Sequence, residues 1–130
     1  MEALQVPLRA VGRAALAAMF VTGGADALLD PGPRAPRAAE LGVPLEPELA
    51  VRLNGAIMLA GGVALALGLC PRLAAGALAG SLVPTTLAGH PYWRLADPAA
   101  RRQQRIHFFK NVGLFGGALL ALAERPARRR

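Results

Sequence analysis

The chain has 130 residues, of which 54% are hydrophobic, 18% charged and 5% aromatic, and it carries a net charge of +7. This length suits one domain, the apolar content excludes extended disorder, and a single cysteine, Cys70, excludes an intramolecular disulfide scaffold. A pI near 11.4 raises nucleic acid as a partner, but the basic residues fall in short segments between apolar runs, without a stripe of interleaved aromatics. That placement argues against nucleic acid and for charges that flank membrane segments.

Four apolar runs organise the chain, at about residues 11–29, 53–69, 73–89 and 106–123. Each approaches the ~17–25 residues that a helix needs to cross the hydrocarbon layer. The first is interrupted by Arg13 near its start and by Asp26 near its end. Its Arg9, Arg13 and Ala25-Asp26-Ala27 imitate a cleavable leader, but the apolar stretch continues through Leu28 and Leu29, so it reads as a membrane span. The loop 30–52 is rich in proline, and within it Pro36–Leu41 predicts a short interfacial helix stopped by Gly42 and Pro44. The second run has one strongly polar side chain, Asn54, and a tight Cys70-Pro71-Arg72 turn joins it to the third, which is uncharged. Pro84 should kink that third run and free a carbonyl for Thr85, Thr86 or a neighbouring helix to satisfy. His90, Tyr92 and Trp93 then mark a headgroup boundary. The fourth run opens with His107, Lys110 and Asn111. Gly76 with Gly80, and Gly113 with Gly117, have the GxxxG spacing of close-packed membrane helices.

The second and third runs lack a polar face of helical period, so a soluble bundle of these segments would expose wide apolar surfaces to water. The expected fold is therefore all-α, a membrane-embedded antiparallel four-helix bundle forming a single domain, with both termini on one side. Arginine and lysine counts do not orient it: seven lie on the terminal side and eight on the long-loop side. The compact basic tail, Arg125 with Arg128, Arg129 and Arg130, favours a cytoplasmic location for the termini.

Antiparallel order would gather Asp26, Asn54, His107, Lys110 and Asn111 at one depth, bordered by His90. In the fourth span, positions 107, 110, 111 and 114 share a helical face. A lysine directed into lipid would cost ~2.5–3.5 kcal/mol near the bilayer centre. The sequence thus predicts an Asp26–Lys110 pair hydrogen-bonded by Asn54 and Asn111. Two readings of the pair are open: it serves only helix register, or the same pocket binds a polar head group or relays protons through His107. His90 and His107 without a nearby Cys or acidic ligand are a poor metal set. No CxxC, nucleotide-binding glycine loop, G-x-S-x-G or HExxH occurs, so no residue is assigned as catalytic, and Cys70 reads as a small apolar residue.

The stretch Arg105-Ile106-His107-Phe108-Phe109-Lys110-Asn111 before a Gly-rich span resembles the last helix of DoxX family membrane proteins. Gly23-Gly24-Ala25-Asp26-Ala27-Leu28, Leu41-Gly42-Val43-Pro44 and Arg52-Leu53-Asn54-Gly55 agree with it, and Pro84-Thr85-Thr86-Leu87-Ala88-Gly89-His90 followed by Trp93 is similar to the actinobacterial branch. The resemblance implies a four-helix protein of the bacterial inner membrane. It further implies an accessory subunit of a quinone- or redox-linked complex, with quinone as the candidate cofactor, an oxidoreductase as the candidate partner, and homo-oligomers open. Many members carry a lysine after the first-span acid, where this chain has Ala27, which leaves Lys110 as the candidate partner of Asp26. The alternative function is a non-catalytic scaffold or small-solute carrier with a structural Asp–Lys pair.

Overall fold

The computed structural model describes residues 2–125, Glu2 through its backbone alone. Five α-helices follow one another: α1 (Glu2–Leu29), α2 (Arg34–Glu40), α3 (Pro47–Leu67), α4 (Pro71–Gly89) and α5 (Pro98–Ala123), with a 3-10 turn at Tyr92–Arg94 before the last. No strand occurs among the described residues, so the fold is all-α. Of the expected tail cluster, Arg128, Arg129 and Arg130 lie outside the described residues.

Capping places the helix ends, and it displaces them from the apolar runs. α3 starts six residues before Leu53 because the Glu46 carboxylate accepts from the backbone N–H groups of Glu48 (3.1 Å) and Leu49 (2.8 Å), with Pro47 at the first helical position. α5 starts at Pro98 by the same device, as the Asp97 carboxylate accepts from Ala100 N–H at 2.8 Å. α3 stops at Leu67, where Gly68 takes a left-handed φ of 70° that glycine adopts without penalty. Cys70 follows with φ 41° and Pro71 opens α4, which makes the turn as tight as its sequence suggests.

Three helices, α1, α3 and α5, are long and apolar enough to cross a membrane. α4 is not among them, for Arg72, Ser81, Pro84, Thr85, Thr86 and its glycines dilute its leucines. Burial compensates. α4 holds Ala74, Ala75, Leu78, Ala79, Ser81, Leu82 and Thr86 inside, packed between α3 and α5. The core joins Phe20, Met58, Leu65, Leu78, Leu82 and Ala121, while a smaller cluster of Ala27, Ala38 and Val51 seats α2 against α1 and α3. The outer faces remain apolar, with Ile106 69% and Leu120 74% exposed, a surface that suits lipid and not water.

α1 packs along α3 through backbone contact. A Cβ added to Gly24 would meet Leu59 N at 2.6 Å and Gly55 O at 2.7 Å, and one added to Gly55 would meet Gly24 O and Leu28 N at 2.8 Å. These glycines, with Gly62 beside Val21, are the close-approach sites of the fold. The GxxxG spacings pointed elsewhere: Gly80 and Gly113 have open space where a Cβ would stand, and Gly76 has only ordinary contact. Of those four, Gly117 alone is closely packed, against Leu16 of α1. Otherwise α1 and α5 meet little, chiefly where Arg13 pairs with Glu124 at 3.0 Å.

Candidate functional site

The polar side chains of the long helices form two internal links and one basic end. Asn54 of α3 donates to Thr85 Oγ1 at 2.8 Å, and that hydroxyl donates to Ser81 O at 2.9 Å. Asn111 of α5 donates to Thr86 Oγ1 at 3.1 Å, which donates to Leu82 O at 2.7 Å. α4 is therefore tied on both sides by consecutive threonines just after Pro84. Proline lacks the N–H that Gly80 O would accept, but the threonine hydroxyls serve the next two carbonyls instead. Asn111 is only 4% exposed, so its partner spares a large desolvation cost.

The expected Asp26–Lys110 pair is not formed; the ion pairs among the described residues join Arg13 to Glu124, Arg52 to Glu48 and Arg94 to Glu40. Helical phase is the reason. Ala17, Phe20, Gly24 and Ala27 hold the inner face of α1, whereas Thr22 and Asp26 point outward. On α5 the inward position belongs to Asn111, with His107 partly buried and Lys110 exposed. The Asn54 and Asn111 amides bond to the threonines rather than to a pair. Asp26 lies 13 residues beyond Arg13 and Lys110 lies 14 before Glu124, so both stand about 20 Å along their helices from that contact. The two thus share a level without sharing a face. Ala27, where many of the proteins that the chain resembles carry a lysine, is buried beside Gly55 and among Ala38 and Val51, where a longer side chain would displace α2.

The basic end gathers around His90. Its ring stacks on His107 with centroids 5.3 Å apart, and its Nδ1 lies 2.7 Å from Gln104 Oε1. Arg37 of α2 donates to Gly89 O at 3.3 Å. Burial holds the His90 imidazolium below its ordinary value near 6.5, and repulsion from His107, Lys110 and Arg37 adds to this against the opposing Gln104 hydrogen bond. Tyr92 and Trp93 cover Phe108, with centroids 5.3 and 5.8 Å away. Beside this end, a cleft of about 180 Å³ opens between α4 and α5, lined by Thr86, Leu87, Phe108, Asn111, Val112 and Phe115. Gln104 and Arg37 were not apparent as site residues from sequence. Gln104 had a usable signal, standing three positions before His107 and seven before Asn111 on one helical face; Arg37, more than fifty positions from Gly89, had none. No group of three or more His, Cys, Asp or Glu that could hold a metal occurs among the described residues.

Apolar helices of crossing length with internally satisfied polar side chains define an all-helical, multi-pass membrane protein. The DoxX family model matches residues 8–91, nearly two thirds of the sequence. The chain belongs to the DoxX family. The match spans α1 to α4 and includes Asp26, Asn54 and His90, while Tyr92, Trp93, His107, Lys110 and Asn111 lie beyond it. No curated protein and no solved structure matches the chain.

Proposed function

We propose that the four long helices cross the bacterial inner membrane as an antiparallel bundle with cytoplasmic termini, and that the chain is an accessory, non-catalytic subunit of a quinone-linked redox assembly. The observation that carries this reading is the apolar α4–α5 cleft, whose polar lining is Thr86 and Asn111, close to the basic end around His90 and His107. A ring carbonyl needs a donor and its isoprenoid tail needs an apolar channel; Asn111 stands in the cleft among Leu87, Phe108, Val112 and Phe115. The internal hydrogen bonds of Asn54 and Asn111 support a second reading, a scaffold whose polar groups serve helix association alone. A carrier has less support, because α4 runs through Pro84 as one helix.

Purification in mild detergent followed by mass spectrometry of bound molecules separates the first two. The redox reading expects a quinone to co-purify and to be lost in Val112→Trp, which fills the cleft, while the helical content is kept. Recovery of native lipid without quinone would leave the scaffold.

A further inference from the structure

The end of the molecule opposite His90 carries a second concentration of charge. A cavity of about 610 Å³ opens where the first turns of α1, the α3–α4 turn and the end of α5 converge, and Arg9, Arg13, Arg72 and Arg125 all line it. The acid on its wall, Glu124, is paired with Arg13 at 3.0 Å. Arg72 spends its Nε on Leu122 O at 3.0 Å, which orients the guanidinium, and among the described residues its two terminal nitrogens have no acceptor. Arg9 and Arg125 are exposed. Among the described residues that line it, four cations stand against one carboxylate, an excess of positive charge in a concave place. Alongside it stand Val6, 72% exposed, and Leu73, 75% exposed. An occupant must therefore present an anion and an oily portion together.

We infer that this cavity binds the phosphate of an anionic phospholipid, with Arg9, Arg72 and Arg125 around the headgroup and Val6 and Leu73 against the acyl chains. Guanidinium suits this ligand because its planar donors match two phosphate oxygens at once. Basic pockets between membrane helices are recognised places for anionic headgroups. A soluble anion would gain the charge contacts but leave Val6 and Leu73 bare. The inference requires that the chain sit in a membrane and is independent of any quinone at the other end.

Cys70, the only cysteine in the sequence, lines the same cavity and is exposed, which makes it a native reporter of occupancy. The protein is placed in nanodiscs of equal phosphatidylglycerol and phosphatidylcholine, then released for native mass spectrometry, and Cys70 labelling by a maleimide is timed in parallel. Preferential retention of phosphatidylglycerol and slowed labelling relative to pure phosphatidylcholine discs are expected. The double variant Arg9→Gln/Arg72→Gln should weaken retention about thirtyfold, from two lost cationic contacts. Arg102→Gln, exposed on α5 away from the cavity, should leave retention unchanged while also removing a positive charge. Equal retention of both lipids, or equal loss in Arg102→Gln and the double variant, would overturn the site. Protection of Cys70 by inorganic phosphate in phosphatidylcholine discs would assign the cavity to a free anion and likewise overturn it.

Discussion

The α1–α3 contact and the α4–α5 contact solve the same problem by different means. α1 and α3 approach until backbone meets backbone at Gly24 and Gly55, leaving no room for even a methyl group. α4 and α5 stay further apart, joined by Asn111 and Thr86, with a cleft of about 180 Å³ beside that bond. Membrane helices gain little from hiding apolar surface, since lipid is as apolar as leucine, so dispersion and hydrogen bonds must hold them together. Dispersion rewards the closest approach and yields a tight seam; a hydrogen bond between two side chains joins helices whose backbones stand apart and leaves a space that a ligand can enter.

The largest expected effect breaks the tight seam. Gly24→Ala places a methyl within 2.7 Å of backbone atoms that cannot rotate away, so a loss of about 1–3 kcal/mol is expected in detergent unfolding followed by circular dichroism. Gly80→Ala, into open space, should change stability by less than about 1 kcal/mol. Equal effects from the two would refute the assignment of the seam. Next comes Asn111→Leu, which removes the α4–α5 bond while Thr86 still donates to Leu82 O; a loss of about 0.6–1.7 kcal/mol is expected in the same assay.

Smaller effects sharpen the contrast at the basic end. Because the folded state holds His90 below its ordinary value near 6.5, the unfolded chain takes up the proton first. His90 thus stabilises the fold fully above that pH, and the contribution fades as pH falls through the window beneath it. Melting temperatures measured from pH 7.5 to 5 should decline on this account, and His90→Gln should flatten the decline. Lys110→Met should alter stability by no more than about 0.5 kcal/mol, since no partner among the described residues is lost, while the His90 titration moves upward in an NMR experiment. A marked destabilisation would instead point to a hidden partner for Lys110.

Much of the candidate site was legible in residue types and much of its wiring was not. Apolar runs marked out long helices, and the clustering of Asn54, Asn111, His90 and His107 near one end of those runs follows from chain order. Sequence alone points to the threonines after Pro84 as partners for the carbonyl that the proline frees. They do contact carbonyls, but of Ser81 and Leu82, and their further role as acceptors for two asparagines depends on which helices flank α4. The Asp26–Lys110 pair failed because composition showed one acid and one amine at a common level, yet said nothing of the angle at which each leaves its helix.

The sequence by itself determined the all-helical class, the tight turn at Cys70-Pro71 and the family, because all of these arise from neighbours along the chain, whereas the caps at Glu46 and Asp97 carry α3 and α5 beyond the apolar runs. Only the tertiary structure decided that α1 lies on α3, that Gly24 and Gly55 touch while Gly80 and Gly113 face open space, and that Asp26 and Lys110 stay apart. The physical reason is that helical periodicity specifies which residues share a face but not which face turns inward. That rotation is selected by the closest backbone approach available, here between glycines 31 positions apart.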